Sequence, residues 1–390
     1  MFFPGLADTL LTLVTVSVQV LIAYRFFSSW RSRLSPPFAW MATLLLSALW
    51  VAFLFAAPFR FPSVAMAFRA MPLPFRTTVV AIGNLWGMTA VPSFLIYLAL
   101  GKAAGRHIRR YSPERRRLLK TAGAVAVGAP FATVAFGAIV ERTAFQVKEV
   151  ELPVPNLHPD LIGLRIGQLS DLHVSPWLSV RDAGRAVDML NELKPHLSVV
   201  TGDVITQPGD PLDGALRELG RLRADLGVLG CLGNHERYAG CQNYETEQAA
   251  KYGIGILRDE SRQLRWGNGA INIAGVDYQS RRDGPYLEGA EGLVAPEMAN
   301  LLLSHNPDTF PAAVRKGFDA VLSGHTHGGQ VTVEILQQTL NFARFVTPFV
   351  AGLYRIDRRS CYVTAGIGTI ALPVRIGAPP EITLLRLAPA

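Results

Sequence analysis

Val321-Leu322-Ser323-Gly324-His325-Thr326-His327-Gly328-Gly329-Gln330 is the stretch whose reading decides the fold. An apolar run ends in a glycine, two histidines follow two residues apart, and glycine returns. The spacing predicts an extended segment with His325 and His327 on one side, so that both imidazoles reach one place. The flanking glycines let a ligand approach the backbone closely. Histidine is the commonest side-chain ligand for Zn, Mn and Fe-type ions. A lone His-x-His often binds nothing, so its meaning depends on what precedes it.

Upstream the same punctuation recurs. The pattern predicts strands over Leu164–Leu169, Leu197–Thr201 and Leu226–Leu232, with helices over Val180–Leu193 and Leu212–Ala224. Further strands are expected over Ile271–Val276, Leu301–Ser304, Ala320–Ser323, Gln330–Val333, Tyr362–Ala365 and Ile382–Leu387. Strand-helix alternation first, and strands in closer succession later, predict an α/β sandwich with sheets packed face to face. Polar groups stand where these strands end: Ser170-Asp171-Leu172-His173, Gly202-Asp203, Gly233-Asn234-His235-Glu236, Ser304-His305-Asn306, and the His325/His327 pair. In α/β sheets, sites gather at the carboxyl ends of strands. Five of the eight histidines fall at such ends. Each alone reads as a capping Asp or a satisfied loop His; five elements in this order point to one polar centre.

The succession Asp-x-His, Gly-Asp, Gly-Asn-His-Glu, His and Gly-His-x-His, from Asp171 to His327, resembles the calcineurin-like metallophosphoesterase superfamily. The resemblance runs from about residue 150 to the C-terminus. It implies a four-layer α/β/β/α sandwich and a centre of two divalent ions, Mn, Fe or Zn. Carried over residue by residue, Asp171, His173 and His327 hold one ion, and Asn234, His305 and His325 the other. Asp203 bridges the two, and His235 lies beside them. The implied reaction is phosphoester hydrolysis by a hydroxide bridging the ions. His235 stabilises developing charge or protonates the leaving oxygen, and Asn234 positions a phosphoryl oxygen. Elementary chemistry agrees: two ions about 4 Å apart need a shared anionic ligand, and mixed N/O ligation suits Mn, Fe or Zn over Ca or Mg. One position departs from the pattern. Many members carry an acidic residue three positions after the bridging Asp, where this chain has Thr206. A carboxylate orienting His235 must come from elsewhere, and adjacent Glu236 reads as a surface loop charge.

The first third of the chain is of another kind. Overall 49% of residues are hydrophobic and 17% charged, lean for a soluble protein. Residues 1–144 carry 15 Lys+Arg against 3 Asp+Glu, whereas 145–390 carry 23 against 27. The net charge of +8 therefore belongs to membrane topology, and no nucleic-acid partner is expected. Apolar spans over about 7–24, 38–57, 77–100 and 119–140 each approach the length of a membrane crossing. They predict a transmembrane region over 1–144, a bundle of about four helices, ahead of a phosphoesterase domain over 145–390. Pro153, Pro155 and Pro159 mark a linker between them. Arg25, Arg31 and Arg33 follow the first span, and the third loop is dense in Lys102, Arg106, Arg109, Arg110 and Arg115–Arg117. With those two loops cytoplasmic, the domain faces outward, although Arg60, Arg69 and Arg76 in the second loop argue the other way. Glu114-Arg115-Arg116-Arg117-Leu118-Leu119-Lys120 ahead of an apolar run resembles a twin-arginine export signal or an ordinary positive-inside anchor. The expected place is a bacterial inner membrane, multi-pass, with the domain on the periplasmic side.

A nearer resemblance is to the bacterial membrane-anchored branch of the superfamily, carried by Gly328-Gly329-Gln330-Val331, Leu372-Pro373-Val374-Arg375 and Gly377-Ala378-Pro379-Pro380-Glu381-Ile382. Some members cleave the pyrophosphate of UDP-2,3-diacylglucosamine in lipid A synthesis; others are exported phosphodiesterases. The former implies a cytoplasmic domain, against the arginine count. The expected partners are therefore the bilayer and a phosphodiester or pyrophosphate substrate, lipid-linked or of the envelope. The aromatic-rich run 335–350 reads either as ordinary core or as an apolar lip with Phe342 and Phe345 against the substrate. A non-catalytic metal sensor would keep the ligands and lose His235, which is present. A metal transporter would carry ionisable ligands within its spans, and here only Asp8 stands near one. Of three cysteines, Cys231 and Cys241 could pair in an oxidising compartment or stand as two buried free thiols.

Overall fold

The computed structural model describes scattered positions between 17 and 48, then residues 71–107, 112–335 and 338–390. The chain divides into two compact units, Met1–Ala138 and Ile139–Ala390. In the first, α1 (Leu73–His107) and α2 (Pro113–Ile139) carry the apolar stretches Phe75–Gly101 and Pro113–Thr143, each long and apolar enough to cross a membrane. A helix of 27 residues rises about 40 Å, against a hydrocarbon core of about 30 Å. The spans expected over 77–100 and 119–140 fall in these helices. Those over 7–24 and 38–57 lie largely outside the described residues, and among the described residues two helices are of spanning length.

The second unit is built on two six-stranded sheets. The first contains β1 (Gln146–Val154), β2 (Arg165–Leu169), β3 (Leu197–Thr201), β4 (Val228–Cys231), β5 (Ile254–Ile256) and β14 (Glu381–Pro389), in the order β1-β14-β2-β3-β4-β5. The second contains β6 (Glu260–Trp266), β7 (Gly269–Gly275), β8 (Ala299–Leu303), β9 (Ala320–Ser323), β12 (Gly352–Ile356) and β13 (Arg359–Val363), in the order β12-β13-β9-β8-β7-β6. A hairpin of β10 (Thr332–Ile335) and β11 (Gln338–Asn341) stands apart from both. β2, β3, β4 and β5 run parallel, as do β7, β8, β9 and β13.

Side-chain alternation makes the layers. Leu301 and Leu303 of β8 join Ile166, Val199, Leu229 and Leu322 in a core between the sheets. Leu302, one residue out of phase, packs on the opposite face with Phe310 and Phe318. The outer face of the first sheet is covered by α3 (Val180–Glu192), α4 (Leu212–Leu219) and α6 (Gln242–Lys251), through Leu190, Leu216 and Ala249. The short α7 (Phe310–Lys316) covers the second sheet. Helix, sheet, sheet and helix are the four layers expected. α3 starts where Ser179 and Asp182 form a reciprocal cap. α4 ends at Leu219, short of the expected Ala224, because the chain turns at Gly220. The proline-marked linker is a further correction: residues 146–154 form strand β1, paired with β14. β1 lies at the sheet edge, where Pro153 is tolerated.

Candidate metal centre

Every polar group singled out at a strand end lies at one end of the paired sheets, but not by strand periodicity. β9 stops at Ser323, and His325 and His327 have left-handed backbones with φ of 74° and 53°. They are not neighbours on an extended segment, and the turn sends them to different partners. Asp171, His173 and His327 form one group; Asp203, His305 and His325 form another; His173, Asp203 and His235 form a third between them. Within each group the donor atoms lie within 4.8 Å of one another. Asp203 belongs to two of the groups.

The distances describe a tight cluster. His173 Nε2 lies 3.1 Å from His327 Nε2 and 3.5 Å from Asp203 Oδ2. His327 Nε2 lies 3.4 Å from Asp171 Oδ1. On the other side, His305 Nε2 lies 3.1 Å from Asp203 Oδ2, 3.1 Å from Asn234 Oδ1 and 3.2 Å from His325 Nδ1. Two donors at right angles, each about 2.1 Å from one ion, stand about 3 Å apart, so these separations match edges of a coordination shell. Asp171 and Asp203 are both almost fully buried, and among the described residues neither forms a direct ion pair with a Lys or Arg. The nitrogen-and-oxygen donor set therefore suits divalent cations.

The charge balance says the same. Burial works against charge on His305, but Asp203 and Asp171 outweigh it and push the imidazole up to about 10. Burial and then His305 hold His325 down to about 3, and burial with His173 holds His327 well below its usual value. Burial alone would raise Asp203, but His305 and His173 keep it well below the carboxylate range. Burial raises Asp171.

Backbone hydrogen bonds hold the cluster in place. Both Asp171 oxygens accept from the His325 N–H at 3.0 Å, and Asp203 Oδ1 accepts from the His235 N–H at 2.9 Å. His305 Nδ1 donates to the Thr201 carbonyl at 2.7 Å, which turns Nε2 toward the cluster. Gly324 has no room for a side chain: a Cβ there would lie 2.1 Å from Asp171 Oδ2 and from Ser170 Oγ.

Two expectations need correction. Glu236 is fully buried, not a surface charge. Its carboxylate accepts from the N–H groups of Gly233, Asp203, Val204 and Ile205, closing the helix α5 (Asn234–Ala239) onto the Asp203 turn. The Gly233–Glu236 capping pattern was the sequence signal for this role. No carboxylate orients His235. Its Nδ1 donates to the Thr206 carbonyl at 2.5 Å, and burial lowers its pKa, so the neutral ring keeps its lone pair on Nε2. Thr206 Oγ1, at the position of the missing acid, meets His173 Nδ1 at 3.2 Å. Tyr278 escaped sequence reasoning altogether; its ring lies 5.6 Å from His325 and 6.0 Å from His305. Cys231 and Cys241 are free thiols rather than a pair.

Phe342–Phe345 forms a 3₁₀ turn, not part of the ligand cluster. Asn341 ties it to the turn after His327 by donating to the Gly328 carbonyl at 2.9 Å. Phe345 and Val346 are 87% and 85% exposed. A cavity of about 390 Å³ is lined by Gly328, Asn341, Arg344, Tyr354 and Lys148.

Residues 164–329 match the family model described as calcineurin-like phosphoesterase. The chain is 30% identical over 349 residues to a Bos taurus transmembrane protein with metallophosphoesterase domain, covering 83% of this chain and 77% of that one. A Danio rerio protein of the same description is 33% identical over 262 residues, 63% of this chain and 58% of that one. The uncharacterized metallophosphoesterase YkuE of Bacillus subtilis is 30% identical over 291 residues, 70% of this chain and 97% of that one.

Proposed function

This chain belongs to the calcineurin-like phosphoesterases, and from that premise we propose a membrane-anchored two-metal enzyme that hydrolyses a phosphodiester or pyrophosphate bond. The observation that carries the proposal is the sharing of Asp203 between ligand groups that otherwise draw on separate strand ends. In this reading Asp171, His173 and His327 hold one divalent ion, and Asn234, His305 and His325 the other, with Asp203 common to both. The ions, when bound, supply Lewis acidity and ionised water at neutral pH. His235, fixed by the Thr206 carbonyl with its Nε2 lone pair free, would take up a proton at Nε2 from the attacking water and pass it to the leaving oxygen. Asn234 orients a phosphoryl oxygen beside His305.

For substrate we propose a lipid-linked or envelope phosphoester. Two spanning-length helices support a membrane setting, as do relatives named transmembrane proteins. Exposed Phe345 and Val346, next to Arg344 and the cavity, suit an amphiphile whose phosphate lies beside its acyl chains. The arginine-dense third loop favours an outward-facing domain. A reporter active in one compartment only, fused after Val140, tests the side. Activity in the cytoplasm would move the reading to a nucleotide-linked lipid precursor handled there.

The chemistry is tested with full-length protein in detergent, loaded with Mn and offered an aryl phosphodiester. Wild type should turn over. His235→Ala should lose about 10²–10⁴-fold as a general acid–base group does, and Asp203→Asn should lose activity together with ion binding. Undiminished turnover in both variants refutes the assigned centre.

A further inference from the structure

Arg375 is the largest fully buried side chain among the described residues, and it takes no part in the chemistry proposed above. It makes no ion pair there. Its Nε donates to the Gly368 carbonyl at 3.0 Å, and Nη1 donates to Ala378 at 2.8 Å and Pro379 at 3.5 Å. Nη2 is shared among Ala365 at 2.9 Å, Gly366 at 3.1 Å and Gly368 at 2.5 Å. A buried charge with no direct ion pair is expensive unless it is fully hydrogen-bonded; here Asp171 and Glu381 act on it only at longer range, and main-chain carbonyls of two loops take its hydrogen bonds.

One of those loops bears directly on the metal centre. The Ile367 N–H donates to the Ser170 carbonyl at 3.1 Å, and the Gly368 N–H to the Asp171 carbonyl at 2.7 Å. The fit is close: Gly366 sits at φ 66°, and a Cβ there would fall 2.6 Å from the Asp171 Cβ. Ala365 packs against Gly328, the residue after His327, whose Cβ position would lie 3.1 Å from the Ala365 Cβ. Arg375 therefore grips the loop that backs both Asp171 and the His327 turn. Among the described residues, no hydrogen bond runs from this loop to Asn234, His305 or His325.

We infer that Arg375 is a positioning residue for one ion only, the one assigned to Asp171, His173 and His327, holding the 365–368 loop against the turn that carries the first two. The inference rests on the two-ion reading. The planar fork matters as well as the charge. A lysine offers three donors from a point and cannot span five carbonyls.

The experiment strips full-length protein in detergent of metal and titrates it with Mn, reading stoichiometry and affinity by calorimetry and bound metal by mass spectrometry. Wild type should take two ions. Arg375→Met should lower one affinity by about 10–100-fold, the range for residues supporting a metal ligand, and leave the other unchanged. The double variant Arg375→Met/His325→Ala should then hold neither ion tightly. Arg375→Lys should fall between Met and wild type. Gly366→Ala, which presses the same turn with Arg375 intact, should reproduce the selective loss. If Arg375→Met does not fold, the Lys and Gly366→Ala variants decide. Two ions at wild-type affinities in the variants, or both affinities falling by one factor along with Tm, overturns the inference alone. A wild-type protein that takes no ion overturns the two-ion reading and this inference with it.

Discussion

Replacing Glu236 with glutamine tests how the Asp203 turn is held. In the wild type, Oε2 accepts from Gly233 N at 2.8 Å and Asp203 N at 3.0 Å, while Oε1 accepts from Val204 N at 2.8 Å and Ile205 N at 3.4 Å. Glutamine keeps the shape but has one oxygen. Whichever pair that oxygen serves, the amide NH₂ faces the other two N–H groups. Two buried donors then lack an acceptor, at about 1–3 kcal/mol each. Removing a buried charge offsets part of this, leaving a net loss on the order of 2–3 kcal/mol. In a unit of this size each kcal/mol moves Tm by about 2–4 °C, so the variant should melt about 4–12 °C lower. Circular dichroism of full-length protein in detergent measures it. Glu236→Ala strands all four donors and should melt lower still. If Glu236→Gln melts with the wild type, the carboxylate is not what closes α5 onto the turn.

Gly324→Ala places a methyl group 2.1 Å from Asp171 Oδ2, and should weaken ion binding by about tenfold or more while the far-UV spectrum is kept; titration with Mn checks it. Glu245 is buried, its Oε2 has no hydrogen-bond partner, and burial followed by Glu236 holds its pKa well above the usual value. The folded state thus binds the proton more tightly than the unfolded one, so this residue's contribution is full below about pH 4.3 and is lost as pH rises toward the folded pKa. Glu245→Gln should therefore raise Tm at pH 7–8 and flatten its fall with pH; an unchanged pH profile would dispose of the point. Phe342→Ser/Phe345→Ser should raise KM for a lipid phosphoester and spare a small soluble phosphodiester, and equal losses on both would end the case for an apolar lip.

Much of the fold was legible because the strands obey a two-residue rhythm on both faces. Leu301 and Leu303 against Leu302 mark β8 as a strand buried between layers, and Ser179 ahead of Asp182 marks the start of α3. The elements that escaped lack that rhythm. β1 carries Pro153, β6 is a polar edge strand with little buried surface, and α6 is polar over most of its length. The residues of the polar cluster were legible for another reason: His, Asp and Asn at the ends of apolar strands have few uses apart from a shared centre.

Their geometry was not legible, and the reason is physical. Asp171, His173, Asp203, His325 and His327 all have φ between 48° and 74°, a region that disfavours any residue with a side chain by about 1 kcal/mol or more. No local window predicts five such turns without glycine. What offsets them is non-local. The Asp203–His235 bond reaches 32 residues along the chain, and the Asp171–His325 bond reaches 154. Asp171, His173, Asp203, His325 and His327 thus stand in conformations they would not choose, whereas Asn234 and His305 do not. A tie in such a centre acts through the turn it holds. Loss of Glu236 should loosen the Asp203 turn and with it both groups that share Asp203, whereas loss of Arg375 should reach only the turns of Asp171 and His327.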